Sequence, residues 1–132
     1  MVIVIVRWYI KAGQDEAFKT TWINEMVPRI KTGLFREFFS KPVDSVNEKY
    51  HTFDMESLHY TTYVNVGIWE SVGSFDSAIG ALIPNREKHC DPKKVNKELV
   101  EVFDFEFKLR ERIVMTVEED RNGDWALPPP SL

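Results

Sequence analysis

The segment Val2-Ile3-Val4-Ile5-Val6 is β-branched at every position and runs on into Trp8, Tyr9 and Ile10. Branching at Cβ narrows χ1 and disfavours a helix, and apolar residues of both parities leave neither face of an extended segment suited to water. The segment therefore predicts a central β-strand covered on both faces. Such a strand needs a sheet around it. With 132 residues, 43% hydrophobic and 13% aromatic, the chain supplies one sizeable core and too little length for two ordinary domains.

Periodicity predicts the remaining elements. From Gln14 to Lys31 the residues Phe18, Trp22, Ile23, Met26 and Ile30 fall on one helical face, with Asp15 and Glu16 at the positive helix end. Pro28 cannot donate to the preceding turn and predicts a kink or an early end near Val27. Gly33 marks the helix exit, and Leu34, Phe35, Phe38 and Phe39 form a short aromatic strand. The polar stretch from Pro42 to Ser57 reads as a long connection or flap. Thr61 to Trp69 form a third strand, interrupted by Gly67. Ser71 caps a helix carrying Val72, Phe75, Ile79 and Leu82 on one face, weakened by Gly73 and Gly80 and stopped by Pro84. Asp91-Pro92 opens a second short helix through Val95, Leu99 and Val102.

Phe103, Phe105, Phe107, Leu109, Ile113, Met115 and Val117 share one parity, against Asp104, Glu106, Lys108, Arg110 and Arg112 on the other. They predict one long two-faced strand or a bent pair, its charged side solvated or at a subunit boundary. The order strand, helix, strand, strand, helices, strand is the split βαβ arrangement. It defines an α+β, ferredoxin-like domain over residues 1–120, with an antiparallel sheet, the first and third strands in its middle and helices on one face. Residues 121–132, with Pro128-Pro129-Pro130, form an extended polyproline-like tail on the surface or on a partner. Because helices cover one sheet face while the first strand is apolar on both, a homodimer with sheets face to face is expected.

Several function classes are excluded. Lys plus Arg number 17 against 21 Asp plus Glu, giving 17 − 21 = −4, and no basic block marks a nucleic-acid surface. The five-residue apolar run before Arg7 is too short for a signal-peptide core, and no stretch approaches the ~20 apolar residues of a membrane span, so no membrane is involved and a cytoplasmic location is expected. Cys90, the lone cysteine, cannot form an intrachain disulfide, and its neighbour His89 is adjacent in sequence rather than facing it as activation of a thiolate demands. His51, His59 and His89, with Asp54, Glu56 and Asp91, lack the tight spacing of metal ligands, so no metal is expected.

Tyr63-Val64-Asn65-Val66-Gly67-Ile68-Trp69-Glu70-Ser71-Val72-Gly73-Ser74-Phe75 resembles the third strand and following helix of the antibiotic-biosynthesis monooxygenase (ABM) family. The element order extends the resemblance over most of residues 1–119. It implies a dimeric α/β barrel with a pocket between sheet and helices, where some members oxidise phenolic or polyketide-like aromatics with molecular oxygen and no metal, flavin or haem. The resemblance assigns catalytic roles to Asn65 and to Trp69 four residues later, which alternation places on the same strand face. An amide can donate to an oxyanion, and an indole offers an N–H and a flat apolar wall. Phe75 stands where such enzymes carry a tyrosine and would contact substrate without a hydroxyl. His89 stands where they carry an arginine and would transfer a proton. Arg7, inside an apolar strand, would contact substrate or pair with a carboxylate. For Trp69 and Phe75 the ordinary role is core packing.

Haem-degrading relatives carry a histidine in the helix after the third strand and an asparagine in the first. This chain has no histidine between Ser71 and Ile83, and Arg7 and Trp8 occupy its first strand. The expected function is thus a cofactor-independent monooxygenase acting on a small aromatic or otherwise apolar molecule. The alternatives are a noncatalytic ligand-binding or regulatory module on the same barrel, and a decarboxylase, dehydratase or isomerase.

Overall fold

The β-branched opening segment forms β1 (Val2–Lys11), flanked in a four-stranded antiparallel sheet by β3 (Tyr60–Trp69) on one side and β4 (Phe107–Thr116) on the other. A third strand pair adds β2 (Leu34–Ser40) outside β3, giving the order β2-β3-β1-β4, so the first and third strands are central as expected. Helices α1 (Asp15–Asn24) and α2 (Val72–Ala78) complete the split βαβ arrangement. This computed structural model describes residues 1–28, 30–42, 59–79 and 105–130. The Pro42 to Ser57 connection beyond Pro42, the helix expected from Asp91-Pro92, and His51, His89 and Cys90 lie outside the described residues.

Helix α1 is shorter than its periodicity predicts. It stops at Asn24, because the ring of Pro28 would meet the carbonyl four residues earlier, that of Asn24 itself. The backbone N–H groups of Glu25 and Met26 both turn back to the Thr21 carbonyl. Phe18 is fully buried, whereas Ile23 and Ile30, expected on the same face, are about half exposed at 51% and 48%. Gly33 is not a helix exit. It adopts φ +86° in the turn before β2, where its carbonyl accepts from the Glu70 N–H. Ser71 caps α2 as expected, its Oγ accepting from the Ser74 N–H. Phe75 and Ala78 are the buried residues of that helix, and Val72 is exposed.

The largest correction concerns β4. Its residues pair regularly with β1 from Val2↔Thr116 to Tyr9↔Leu109, then the register shifts and Ile10 pairs with Phe107. One extra residue on β4 reverses its alternation. Phe105 and Phe107 therefore enter the core, but beyond the bulge it is Arg110, Arg112 and Val114 that share the face of Trp8, Val6 and Val4, their partners on β1. Ile113 and Met115 are turned to the opposite face, where they stand exposed.

Two apolar clusters lie between sheet and helices. Trp8, Ile10, Phe18, Tyr63, Phe105 and Phe107 form one against α1; Val2, Val4, Trp69, Phe75 and Ala78 form the other under α2; Val6 touches both. Ring contacts knit the first cluster, with Phe18 5.0 Å from both Trp8 and Phe105 and Phe107 5.3 Å from Trp8, at tilted or edge-on angles that suit aromatic quadrupoles. After β4 the chain runs exposed to residue 130, and Arg36 Nη1 donates to the Pro128 carbonyl at 2.6 Å. Among the described residues no helix is long and apolar enough to cross a membrane.

Candidate functional site

A cavity of about 240 Å³ opens where the two clusters meet, on the helix-covered face of the sheet. Its floor is built by alternation. Val4, Val6 and Trp8 come from β1, and Asn65, Gly67 and Trp69 from β3, each set projecting at every second residue. Phe75 and Ile79 close the end beneath α2, and Trp22 and Met26 the end at α1. The volume lies just under the ~300–1,000 Å³ of drug-sized ligand sites and suits a molecule of two or three rings.

Asn65 and Trp69, paired by spacing in the sequence, do line this cavity together, and Phe75 joins them. The Asn65 amide has a fixed orientation. Trp8 Nε1 donates to Asn65 Oδ1 at 2.9 Å, and an indole nitrogen can only donate, so the amide oxygen must face Trp8. Nδ2 is then directed away from Trp8; it is buried and has no hydrogen-bond partner. A buried N–H₂ without an acceptor is costly in an apolar wall and is relieved by a ligand oxygen. Gly67 makes room beside it: a Cβ there would sit 2.9 Å from Trp69 Nε1 and 3.7 Å from Glu37 Cγ. The missing side chain lets the indole lie back along its own strand, with its ring 5.8 Å from Phe75.

Arg7 does not reach the cavity. Odd positions of β1 face the side of the sheet opposite the described helices, where Arg7 is ion-paired with Glu111, its partner in the β1–β4 register. Of the two roles expected for Arg7, the pairing with a carboxylate is the one present, as a cross-strand ion pair. His89 lies outside the described residues.

Four ionisable groups in the wall were not anticipated, Glu25 at the end of α1 being one. Arg110 and Arg112 reach it because of the β4 bulge, and Glu37 because β2 also carries a register shift, between Leu34 and Arg36, that sets Glu37 opposite Gly67. Arg110 lies over the Trp8 ring at 5.3 Å, and burial lowers its proton affinity. Burial raises the pKa of Glu37, and the charge of Lys31 offsets part of that rise. Simple alternation assigns the two arginines to a solvated or cross-subunit face. The cue for Glu37 was its place, with Arg36, in an otherwise aromatic strand. Tyr63 lies outside the cavity: its hydroxyl donates to Asp15 Oδ2 at 2.6 Å and ties β3 to the start of α1. Burial, with the Asp15 carboxylate, pushes its phenol pKa up.

No protein-family profile and no curated protein matches the chain. Solved structures do. A mutant of MhuD with two manganese protoporphyrin IX bound per active site aligns over 93% of this chain and 100% of its own, at 15% identity and a TM-score of 0.55. A monooxygenase from the gene ActVA-Orf6 of Streptomyces coelicolor, in complex with nanaomycin D, aligns over 93% and 92% at 16% identity and a TM-score of 0.49. An ethyl tert-butyl ether d family protein from Bacillus halodurans aligns over 89% and 99% at 18% identity and a TM-score of 0.45. The first likeness, read with the strand order and register above, is one of fold. The chain has an α+β, ferredoxin-like fold with an antiparallel sheet, and it shares that fold with MhuD.

Proposed function

We propose that this protein binds a small aromatic molecule in the cavity between sheet and helices and oxygenates it as a cofactor-independent monooxygenase. The observation that carries the reading is the Asn65 amide, oriented by Trp8 with its unpartnered Nδ2 buried in an aromatic-walled cavity. An ionised phenol seated there gives Nδ2 its acceptor, and Trp69 and Phe75 wall its ring. The hydrogen bond stabilises negative charge on oxygen between apolar, aromatic walls, where such a donor has more effect than in bulk water. The electrons come from the substrate: an activated ring CH₂ and O₂ give a ring carbonyl and water. Glu37 in the wall is the group suited to accept the proton, with His89 the second candidate. The MhuD neighbour holds manganese protoporphyrin IX in its active site on this fold. We further propose a homodimer formed through the uncovered sheet face.

The test is oxygen uptake coupled to product formation with anthrone-like phenols and hydroquinones. Asn65→Ala should lower kcat/KM by about 10²-fold, the scale of losing one oxyanion donor, while the melting temperature stays within a few degrees. Unchanged turnover in Asn65→Ala would remove the assignment. Phe75 brings no hydroxyl to the wall, which favours a second reading, a noncatalytic binding module. Ligand-induced stabilisation without oxygen uptake would select it.

A further inference from the structure

After β4 the chain is pinned at two points and bows out between them. At its near end the Val117 N–H donates to the Met1 carbonyl, beside the Val2↔Thr116 pair of β1 and β4. At its far end Arg36 Nη1 donates to the Pro128 carbonyl at 2.6 Å, and Arg36 stands on β2, the opposite edge strand of the sheet. The two edges are three strand spacings apart, about 14 Å, whereas the twelve residues from Thr116 to Pro128 can span about 40 Å. The excess length stands away from the sheet: the chain bends at Asp124 and Trp125, where Trp125 is 92% exposed, and Leu127 is 66% exposed. This arm is divided along its length. Glu118, Glu119 and Asp120 give it an acidic, solvated base, and Trp125, Ala126, Leu127 and the three prolines that follow give it an apolar tip. Its far foot also chooses a side. Arg36 pairs with Ile68, one of the even β3 positions that point away from the cavity, and its guanidinium lies over the ring of Phe38, two residues on. The arm therefore reaches the rim of the sheet face opposite the described helices.

We propose that this arm clasps a second copy of the chain, with Trp125 and Leu127 packing on the partner at the rim of the shared sheet face. This rests on the homodimer proposed above and names the element that secures it. The sheet face alone is small for the task. Four strands about 4.8 Å apart, none longer than ten residues of about 3.3 Å each, give a flat footprint of roughly 600 Å², against the ~800 Å² per partner of a standard stable interface. A tryptophan buries about 150–250 Å², and with the neighbouring leucine it makes up that difference. Tryptophan is also among the residue types most enriched as interface anchors. The prolines fix φ and, with the bond from Arg36, hold the tip in place before association, which lowers the ordering cost of binding. Because a face-to-face pair is isologous, the arm of each copy meets the other, and the clasp forms twice.

Sedimentation velocity over a dilution series gives the dissociation constant of the dimer. Trp125→Ala should raise it about tenfold or more, the scale of removing an interface anchor. The same substitution placed in Ile113→Glu, at a concentration where that variant is monomeric, should leave the melting temperature within about two degrees, as for any exposed side chain. A second readout follows the indole itself. In protein labelled with 5-fluorotryptophan, the fluorine resonance that Trp125→Ala removes should move between dilute and concentrated wild-type samples and hold still in monomeric Ile113→Glu. An unchanged dissociation constant, or a Trp125 resonance that does not move as the dimer forms, overturns the inference and leaves the homodimer reading intact. So does a Trp125→Ala substitution that lowers the melting temperature of the monomer by many degrees, which would place the indole on its own chain. A wild-type protein that stays monomeric overturns the homodimer reading itself and this inference with it.

Discussion

Glu37 is half-buried in the cavity wall, and burial makes its protonated form easier to hold in the folded protein than in the unfolded chain. Between the ordinary value of 4.5 and the raised folded value the native state binds more protons. Stability from this group is thus complete below 4.5 and declines as pH rises through the raised value. Glu37→Gln should accordingly melt at a higher temperature than wild type at pH 7, with the two curves converging below pH 4.5. Melting curves that stay parallel over that range would show that the carboxylate is solvated as in the unfolded chain. A residue of this kind is hard to read from sequence, because its environment depends on which strand position faces it. Asn65 and Trp69 were legible, since a four-residue separation on one strand fixes a common face whatever surrounds it. Trp8 as the partner that orients Asn65 was not: the two are 57 residues apart, and only the β1–β3 register, two residues displaced from direct opposition, brings indole and amide together.

The elements were legible where residue type and alternation agree, and misread where a single residue interrupts the pattern. β1 and β3 matched closely. On β4 one inserted residue reverses the faces, and no turn residue or proline in Phe105 to Arg112 announces it. For α1 the interrupting Pro28 was visible, yet its reach extends four residues back and shortens the helix more than its position implies. Glycines show the same dependence on context and allow a controlled comparison. Gly13 and Gly33 both adopt left-handed φ, +88° and +86°, but a Cβ at Gly13 meets nothing within 4 Å, whereas one at Gly33 would lie 2.5 Å from Ser74 Oγ and 2.6 Å from Ser74 Cβ. Gly13→Ala should cost only the conformational penalty, about 1–2 kcal/mol. Gly33→Ala should cost about 1–3 kcal/mol beyond that, by forcing the start of α2 away from the turn. Urea unfolding of both variants measures the difference. Equal losses would mean that α2 shifts freely, and with it the position of Phe75 at the cavity.

On the scale of the whole molecule, the proposed homodimer rests on the face of the sheet opposite the described helices. It carries Ile3 and Ile5 from β1, Val64, Val66 and Ile68 from β3, and Ile113 and Met115 from β4, with the Arg7–Glu111 pair among them. Ile113 is 56% exposed and Met115 38% in a single chain, and Ile5 pairs with Ile113 in the register, so the apolar surface is continuous across at least two strands. Monomeric proteins rarely leave such a surface to water, because association buries it at a gain of roughly 25 cal/mol per Å² before ordering costs. The ordered ion pair within it is compatible with burial, since both charges already have partners in the isolated chain. A second copy of the chain is the occupant we propose for this face. Light scattering at micromolar concentration should give twice the mass of the 132-residue chain. Ile113→Glu, which puts a charge at an exposed position and leaves the helix-side core untouched, should weaken the dimer at least tenfold while retaining a cooperative melt. A wild-type monomer at that concentration would break the link between the bare sheet face and self-association. The cavity lies on the opposite side of the sheet, so the monomeric variant should still bind a small aromatic ligand, and loss of that binding would instead mean that dimerisation shapes the site.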